Sequence, residues 1–276
     1  MSTPICPAVN YFVMRECNMR CRFCYATFRD VNGRLSNTDA ERVVRLLAEA
    51  GVEKITFVGG EPTLHPHIVG LVNTAHDAGL TTQIVSNGAR LIPLMDACKG
   101  SLDWVGLDLD SINEDVEVAL GRGRGGHVAK TIALAEEIHK RGVRLKLNTV
   151  VTRLSWQEDM TAAIERIRPD RWKGFQVLPV PGQNDGSVDD LLITPEQFQA
   201  WSDRHAHLGL IPESNDLMSL SYALVDPMGR FYSSDGTGHK YGKSILEVGA
   251  QAAWDSVSFR EDRFDARGGR YDWRTK

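Results

Sequence analysis

The chain has 276 residues, 42% hydrophobic and 25% charged, enough for one large domain or two small ones with a substantial core. A formal net charge of -4 excludes a protein that binds nucleic acid or anionic membrane with its whole surface, so any anion site must be a local gathering of Lys and Arg. No apolar run approaches the ~20 residues of a membrane span, and "MSTPICPAVNYFVM" lacks the basic start and long apolar stretch of a signal peptide.

In chain order, "AVNYFVM" reads as a strand over Ala8–Met14, followed at once by "CNMRCRFCY". "NTDAERVVRLLAEAG" has Val43, Val44, Leu46, Leu47 and Ala50 at helical spacing, with Asn37 or Thr38 as cap and Gly51 as stop. "KITFV" is a second strand. A helix near 68–78 leads to a third, "TTQIVS", and "WVGLDLD" holds a fourth. A helix over 128–141 leads to the fifth, "VRLKLNTVV", and one over 156–167 to the sixth, "WKGFQVLPV". Strands alternating with helices imply a parallel sheet with right-handed crossovers. The fold class expected is α/β, a partial (β/α)6 barrel, with its chemistry at the C-terminal ends of the strands. Residues 1–180 would form this core. After Val180 the alternation is expected to stop, and residues 181–276 to form an extension closing over the substrate site within the same unit. That extension carries one helix in "TPEQFQAWSDRHAHLG" and short strands near 222–225 and 230–232.

Three of the five cysteines, Cys17, Cys21 and Cys24, form C-x3-C-x2-C. A disulfide would leave one thiol over, and a structural zinc site usually wants four ligands. In a chain expected to be cytoplasmic, thiols stay reduced. Three thiolates on one short loop suit a [4Fe–4S] cluster with one iron left open. Cys98 reads as a buried, inert thiol.

Lys54, Lys146, Arg171 and Lys173 stand in or beside three expected strands. A charge inside an apolar strand is costly unless paired. Alternate strand residues face a barrel's lumen, so these cations converge there and call for an anion such as a triphosphate. Each alone could equally be a solvated strand end. "GRGRGG" does not sit between a first strand and its helix and is no phosphate fingerprint.

The cysteine spacing after a first strand, with "GGEP" after a second, resembles the radical S-adenosylmethionine (SAM) enzymes. "VNYFVMRECNMRCRFCY", "EKITFVGGEP", "IVSNG", "GRGRG", "LKLNTVVTRL", "RWKGFQVL", "PESN", "SYALVD" and "RGGRYDW" run in the order of the viperin family over nearly the whole chain. The resemblance is to its prokaryotic, anti-phage members. It implies a partial barrel of the radical SAM type, a [4Fe–4S] cluster on Cys17, Cys21 and Cys24, and SAM as cosubstrate. It implies SAM contacts at Phe23, Gly59, Gly60, Glu61, Asn87, Asp108 and Arg122. It implies substrate contacts at Asn10, Lys54, Lys146, Asn148, Arg171, Lys173 and Arg267, with Tyr222 directed at the reacting nucleotide. The implied reaction converts a ribonucleoside triphosphate, with CTP favoured and UTP or GTP open, to its 3′-deoxy-3′,4′-didehydro form, an antiviral chain terminator. A flavodoxin or ferredoxin would supply electrons to a monomer free of membrane. Where animal viperins read "HFT" this chain reads "FVM" after Tyr11, and they carry an amphipathic helix before the barrel. Two other readings stay open: a radical SAM enzyme of peptide or cofactor maturation, and a non-enzymatic iron–sulfur or nucleotide sensor. The lack of cysteines after Cys98 weighs against auxiliary clusters and so against the first.

Overall fold

The computed structural model describes residues 4–274. Its centre is one ten-stranded sheet: β1 (Ala8–Phe12), β2 (Lys54–Val58), β3 (Thr81–Val85), β4 (Trp104–Asp108), β5 (Arg144–Val151), β6 (Arg171–Gln176), β7 (Leu210–Glu213), β8 (Ala223–Val225), β9 (Arg230–Ser234) and β10 (His239–Ser244). The spatial order is β10-β9-β8-β1-β2-β3-β4-β5-β6-β7. Strands β1 to β7 are parallel neighbours in chain order, the pattern of a (β/α) barrel, and the sheet has two free ends.

Helices sit in the crossovers because their apolar stripes match the outer face of the sheet. In the helix Asn37–Glu49, Val43, Val44 and Leu47 are fully buried beside Ile55 and Phe57 of β2. Each such side chain contributes about 1.5–3 kcal/mol on burial. The cap is Ser36, whose hydroxyl accepts from the Asp39 N–H, rather than Asn37 or Thr38.

Several expectations are corrected. The alternation does not stop at Val180: the helix Pro195–His205 leads to β7, which extends the parallel sheet. β7 contains Pro212, which lacks an N–H, and it lies at a sheet edge where that donor is not needed. The helix expected over 156–167 begins only at Thr161: its N-cap is Met160, without a side-chain capping bond, and the preceding residues form turns, with Asp159 accepting from the Thr161 N–H at 3.0 Å. An unexpected helix, Leu91–Ala97, fills the β3–β4 crossover.

Past residue 213 the chain re-enters the sheet from the other side. β8 pairs in parallel with β1, and the hairpin β9–β10 is antiparallel. The segment 267–274 then runs beneath the sheet. The Trp104 Nε1–H donates to the Trp273 carbonyl at 3.2 Å, the Arg144 guanidinium donates to the same oxygen, and Arg171 donates to the Gly268 carbonyl. Trp104, Arg144 and Arg171 are the first residues of their strands. This segment therefore forms a floor under the N-terminal ends, whereas 218–224 and Ser234 reach the cavity at the other end.

Candidate active site

Residues of alternate parity along each strand share a face. On the inner face stand Asn10 and Phe12 of β1, Thr56 and Val58 of β2, Asp108 of β4, Lys146 and Asn148 of β5, and Phe175 of β6, all lining one cavity of about 850 Å³. That is the upper part of the range for small-molecule sites, roughly 300–1,000 Å³. The three clustered cysteines, Phe23, Tyr222 and the strand-end loops complete its walls.

The cysteine loop is held by backbone on two sides. Gly60 N–H donates to the Met14 carbonyl at 2.7 Å and Glu61 N–H to that of Glu16 at 2.9 Å. A side chain at Gly60 would overlap the carbonyl oxygens of Arg15 and Glu16, so this approach demands glycine. Opposite, Arg20 and Arg22 N–H groups donate to the carbonyls of Gly121 and Leu120. Gly121 has φ +88°, and a side chain there would strike the Arg20 carbonyl. "GRG" thus serves the cysteine loop by close backbone contact.

Cys17, Cys21 and Cys24 are free thiols, and burial raises all three, Cys21 to about 12. Among the described residues no three His, Cys, Asp or Glu side chains surround a single metal ion. The Arg122 guanidinium lies 5.4 Å from the Phe23 ring centroid, beside the thiols. Burial alone would discourage its charge, but Asp110, at 2.6 Å, together with Cys21 and Asp108, at 3.1 Å, raises its pKa. Asp110 is a partner the sequence reading passed over, although "LDLD" puts it on the same face as Asp108.

Glu61 is buried and already engaged. Its carboxylate accepts from the Thr63 N–H and hydroxyl, the Ser86 hydroxyl and the Asn87 N–H, at 2.6–3.0 Å. It clamps the ends of β2 and β3 beside Gly59 and Gly60, which line the cavity. Asn87 donates to Asn18 at 2.9 Å and reaches the Cys17 sulfur at 3.8 Å. Asn148 donates to Asp108 at 3.1 Å, while its buried Oδ1 has no hydrogen-bond partner among the described residues. An unmet buried acceptor costs about 1–3 kcal/mol.

The expected cations separate into two groups. Lys146 lines the cavity, and burial, opposed mainly by Glu213, brings its ammonium down to about 8. Lys54, Arg171, Lys173 and Arg267 lie deeper. Lys54 donates to the Tyr271 hydroxyl and stands within 6 Å of the Trp104, Tyr271 and Trp273 rings. Arg171 packs 3.9 Å from the Tyr271 centroid. Lys173 is ion-paired with Glu213, whose carboxylate also accepts from the Tyr222 hydroxyl and lies 3.6 Å from Arg267. Burial lowers Lys54 and Lys173 well below the ordinary ammonium range. Glu213, in "PESN", and Tyr271 and Trp273, in "RGGRYDW", fall in segments that carry the family resemblance, but the sequence assigns them no role, because their partners are set by long-range register.

Comparisons with known proteins bear on this cavity. Residues 11–167 match the radical SAM superfamily. A protein of Flammeovirga pacifica named S-adenosylmethionine-dependent nucleotide dehydratase is 41% identical over 98% of this chain and 97% of its own length. One of the same name from Lacinutrix mariniflava is also 41% identical, and here the chain spans 59% of the relative's length. A third, from Oncorhynchus mykiss, is 36% identical over 96% of this chain and 80% of its own. Among solved structures, SuiB of Streptococcus suis bound to SAM superposes with a TM-score of 0.65 at 18% identity, over 82% of this chain and 59% of its own. The enzyme anSMEcpe with bound AdoMet and a peptide gives 0.64 at 13% identity, over 95% and 81%. These two likenesses concern the fold.

Proposed function

The chain belongs to the radical SAM superfamily and, within it, to the S-adenosylmethionine-dependent nucleotide dehydratases, and from that premise we propose that it dehydrates a ribonucleoside triphosphate to the 3′-deoxy-3′,4′-didehydro nucleotide. CTP is the favoured substrate, and the product acts as an antiviral chain terminator. The observation that carries the reading is one cavity walled by three free thiols at one place and by Lys146, Asn148 and Tyr222 at another.

The donor set fits a [4Fe–4S] cluster: three thiols within eight residues, spaced C-x3-C-x2-C, free of disulfides and next to Arg122. Bound there with SAM, such a cluster would supply the 5′-deoxyadenosyl radical. Cys17, Cys21 and Cys24 hold it. Phe23 offers an aromatic wall beside SAM, Gly59 and Gly60 offer carbonyls to its ammonium, and Asn87, Asp108 and Arg122 meet its polar groups. Glu61 acts through the loops it fixes. Lys146 binds the polyphosphate first, and Arg171, Lys173, Arg267 and Lys54 bring positive potential from below. Asn10 and Asn148 orient the nucleotide, the unmet Asn148 Oδ1 accepting from a ribose hydroxyl. Tyr222 closes the cavity over the reacting sugar. A flavodoxin or ferredoxin supplies reducing power to a monomer. Among the described residues no helix is long and apolar enough to cross a membrane.

The test is incubation of the reconstituted enzyme with SAM, reductant and each of the four ribonucleoside triphosphates in turn. Mass spectrometry should show loss of one water from CTP, with 5′-deoxyadenosine. If no triphosphate loses water while SAM is cleaved, the reading is refuted.

A further inference from the structure

Glu213 is the least expected charge in the molecule. It ends β7, is fully buried, and is surrounded by three groups at once. Lys173 and Arg267 face its Oε1, and the Tyr222 hydroxyl donates to its Oε2. A buried carboxylate is stable only when paired and hydrogen-bonded. Burial works to raise its pKa, but Lys173 and Arg267 outweigh that and hold it ionised. Phosphate binding alone would not call for an anion here, since it subtracts from the charge of the cations beside it. Tyr222 provides the second observation. The Arg267 guanidinium lies 3.6 Å from its ring centroid, and Tyr222 lines the cavity with Lys146 and Asn148. Among the described residues its hydroxyl donates to Glu213.

We propose that Glu213 is the proton acceptor that enables Tyr222 to give an electron to the nucleotide during dehydration. The inference rests on the function proposed above. In that reaction the ribose carbon radical loses its 3′ hydroxyl: the C–O bond breaks, and the hydroxide takes a proton from solvent and leaves as water. The remaining radical cation needs one electron to become the neutral alkene. Tyr222 supplies it, and its phenolic proton passes to Glu213 Oε2, leaving a neutral tyrosyl radical beside a neutral carboxylic acid. The low-potential one-electron donor then returns the electron to Tyr222, and Glu213 returns the proton. Net consumption per water released is one solvent proton and two external electrons, one spent on cleaving SAM and one returned to Tyr222. Without an adjacent base, oxidation would leave a charged phenol radical pressed against Arg267, which the same geometry disfavours. A base within hydrogen-bond reach is the requirement for such a transfer, and Glu213 meets it.

The test uses full-length reconstituted enzyme with SAM, the favoured triphosphate and one fixed reductant. It compares wild type with Glu213→Gln, Glu213→Asp, Tyr222→Phe and the double variant Glu213→Gln/Tyr222→Phe. The readout is the ratio of dehydrated nucleotide to 5′-deoxyadenosine, with nucleotide affinity measured separately by calorimetry. Glu213→Gln should lower that ratio by about a hundredfold, with nucleotide affinity equal to or tighter than wild type. Tyr222→Phe should lower it as much, the double variant no further, and Glu213→Asp should restore most of it. Rapid-freeze electron paramagnetic resonance should show a tyrosyl signal in wild type that Tyr222→Phe lacks. A wild-type ratio in Glu213→Gln overturns the proposal, as does lost affinity with an unchanged ratio, which marks a purely structural carboxylate. Should Glu213→Gln fail to fold, a wild-type ratio in Tyr222→Phe overturns it instead. Absence of dehydrated nucleotide in wild type would fail the proposed function itself, a separate outcome.

Discussion

Lys146 gives the sharpest quantitative handle on the cavity. Its ammonium, ordinarily near 10.5, is held at about 8 by burial and by Arg171 and Arg267, against the pull of Glu213. The free enzyme therefore loses this charge as pH rises through 8, and a bound polyphosphate, which favours the charged form, draws the pKa back toward its ordinary value. At pH 9 the side chain would go from about 10% to about 97% protonated on binding, an uptake of about 0.9 proton, against about 0.1 at pH 7. The same linkage weakens nucleotide binding about tenfold between pH 7 and pH 9, or ~1.4 kcal/mol. Calorimetric titration of a triphosphate into enzyme without SAM, in buffers of different ionisation enthalpy, reads both quantities. Lys54 is displaced in the same direction and adds to the wild-type uptake. Lys146→Met isolates the one residue: it should take up about 0.9 fewer protons at pH 9, and at pH 7 bind about 10- to 100-fold more weakly, from the loss of about 1.5–3 kcal/mol of charge-assisted bonding. Equal uptake by Lys146→Met and wild type at pH 9 would refute the reasoning.

Cys17→Ala, Cys21→Ala and Cys24→Ala should each lose bound iron and sulfide after reconstitution, whereas Cys98→Ala should keep both. Cys98 is buried away from the loop, and burial raises its thiol to about 11; colorimetric iron and sulfide analysis decides. Gly60→Ala should reduce cluster content while thermal unfolding shifts little, because the clash falls on the carbonyls of Arg15 and Glu16 rather than on the core. Arg122→Met should destabilise the protein by about 3–5 kcal/mol, since it leaves Asp108 and Asp110 without their partner; urea unfolding measures it. Tyr271→Ala should cost about 3 kcal/mol through the cavity left between Trp104, Arg171 and Lys54, whereas Tyr271→Phe should cost about 1 kcal/mol, the size of one hydrogen bond.

The six strands expected from sequence are present because each is a short β-branched run between Gly, Pro or Asp, and periodicity reports such burial directly. "LIPE" escaped notice for a physical reason: four residues with a central proline look like a loop unless the strand lies at an edge, and edge position is a property of the whole sheet. The gathering of Cys17, Cys21 and Cys24 on one loop was legible, since C-x3-C-x2-C is a purely local spacing. The cations were legible as residues but not as a geometry. Nothing in "RWKG" says that Lys173 meets Glu213 rather than the open cavity, because that depends on the register of β7 against β6. The helix start at 161 was not legible, because its N-cap, Met160, makes no side-chain capping bond and so leaves no capping residue to read.

The floor beneath the strands has a consequence for how the protein assembles. Its bonds join residues far apart in sequence: 217 positions separate Lys54 from Tyr271, 169 separate Trp104 from Trp273, and 129 separate Arg144 from Trp273. Closing loops of such length is slow, and the contacts at their ends form late. The parallel strands can pair with their sequence neighbours first, leaving Lys54, Arg144 and Arg171 at an unfinished barrel end. Binding competence for an anion should therefore trail sheet formation during refolding. In the native state, the amides of Gly268 and its neighbours should exchange with solvent faster than those of β4 and β5, the reverse image of that order.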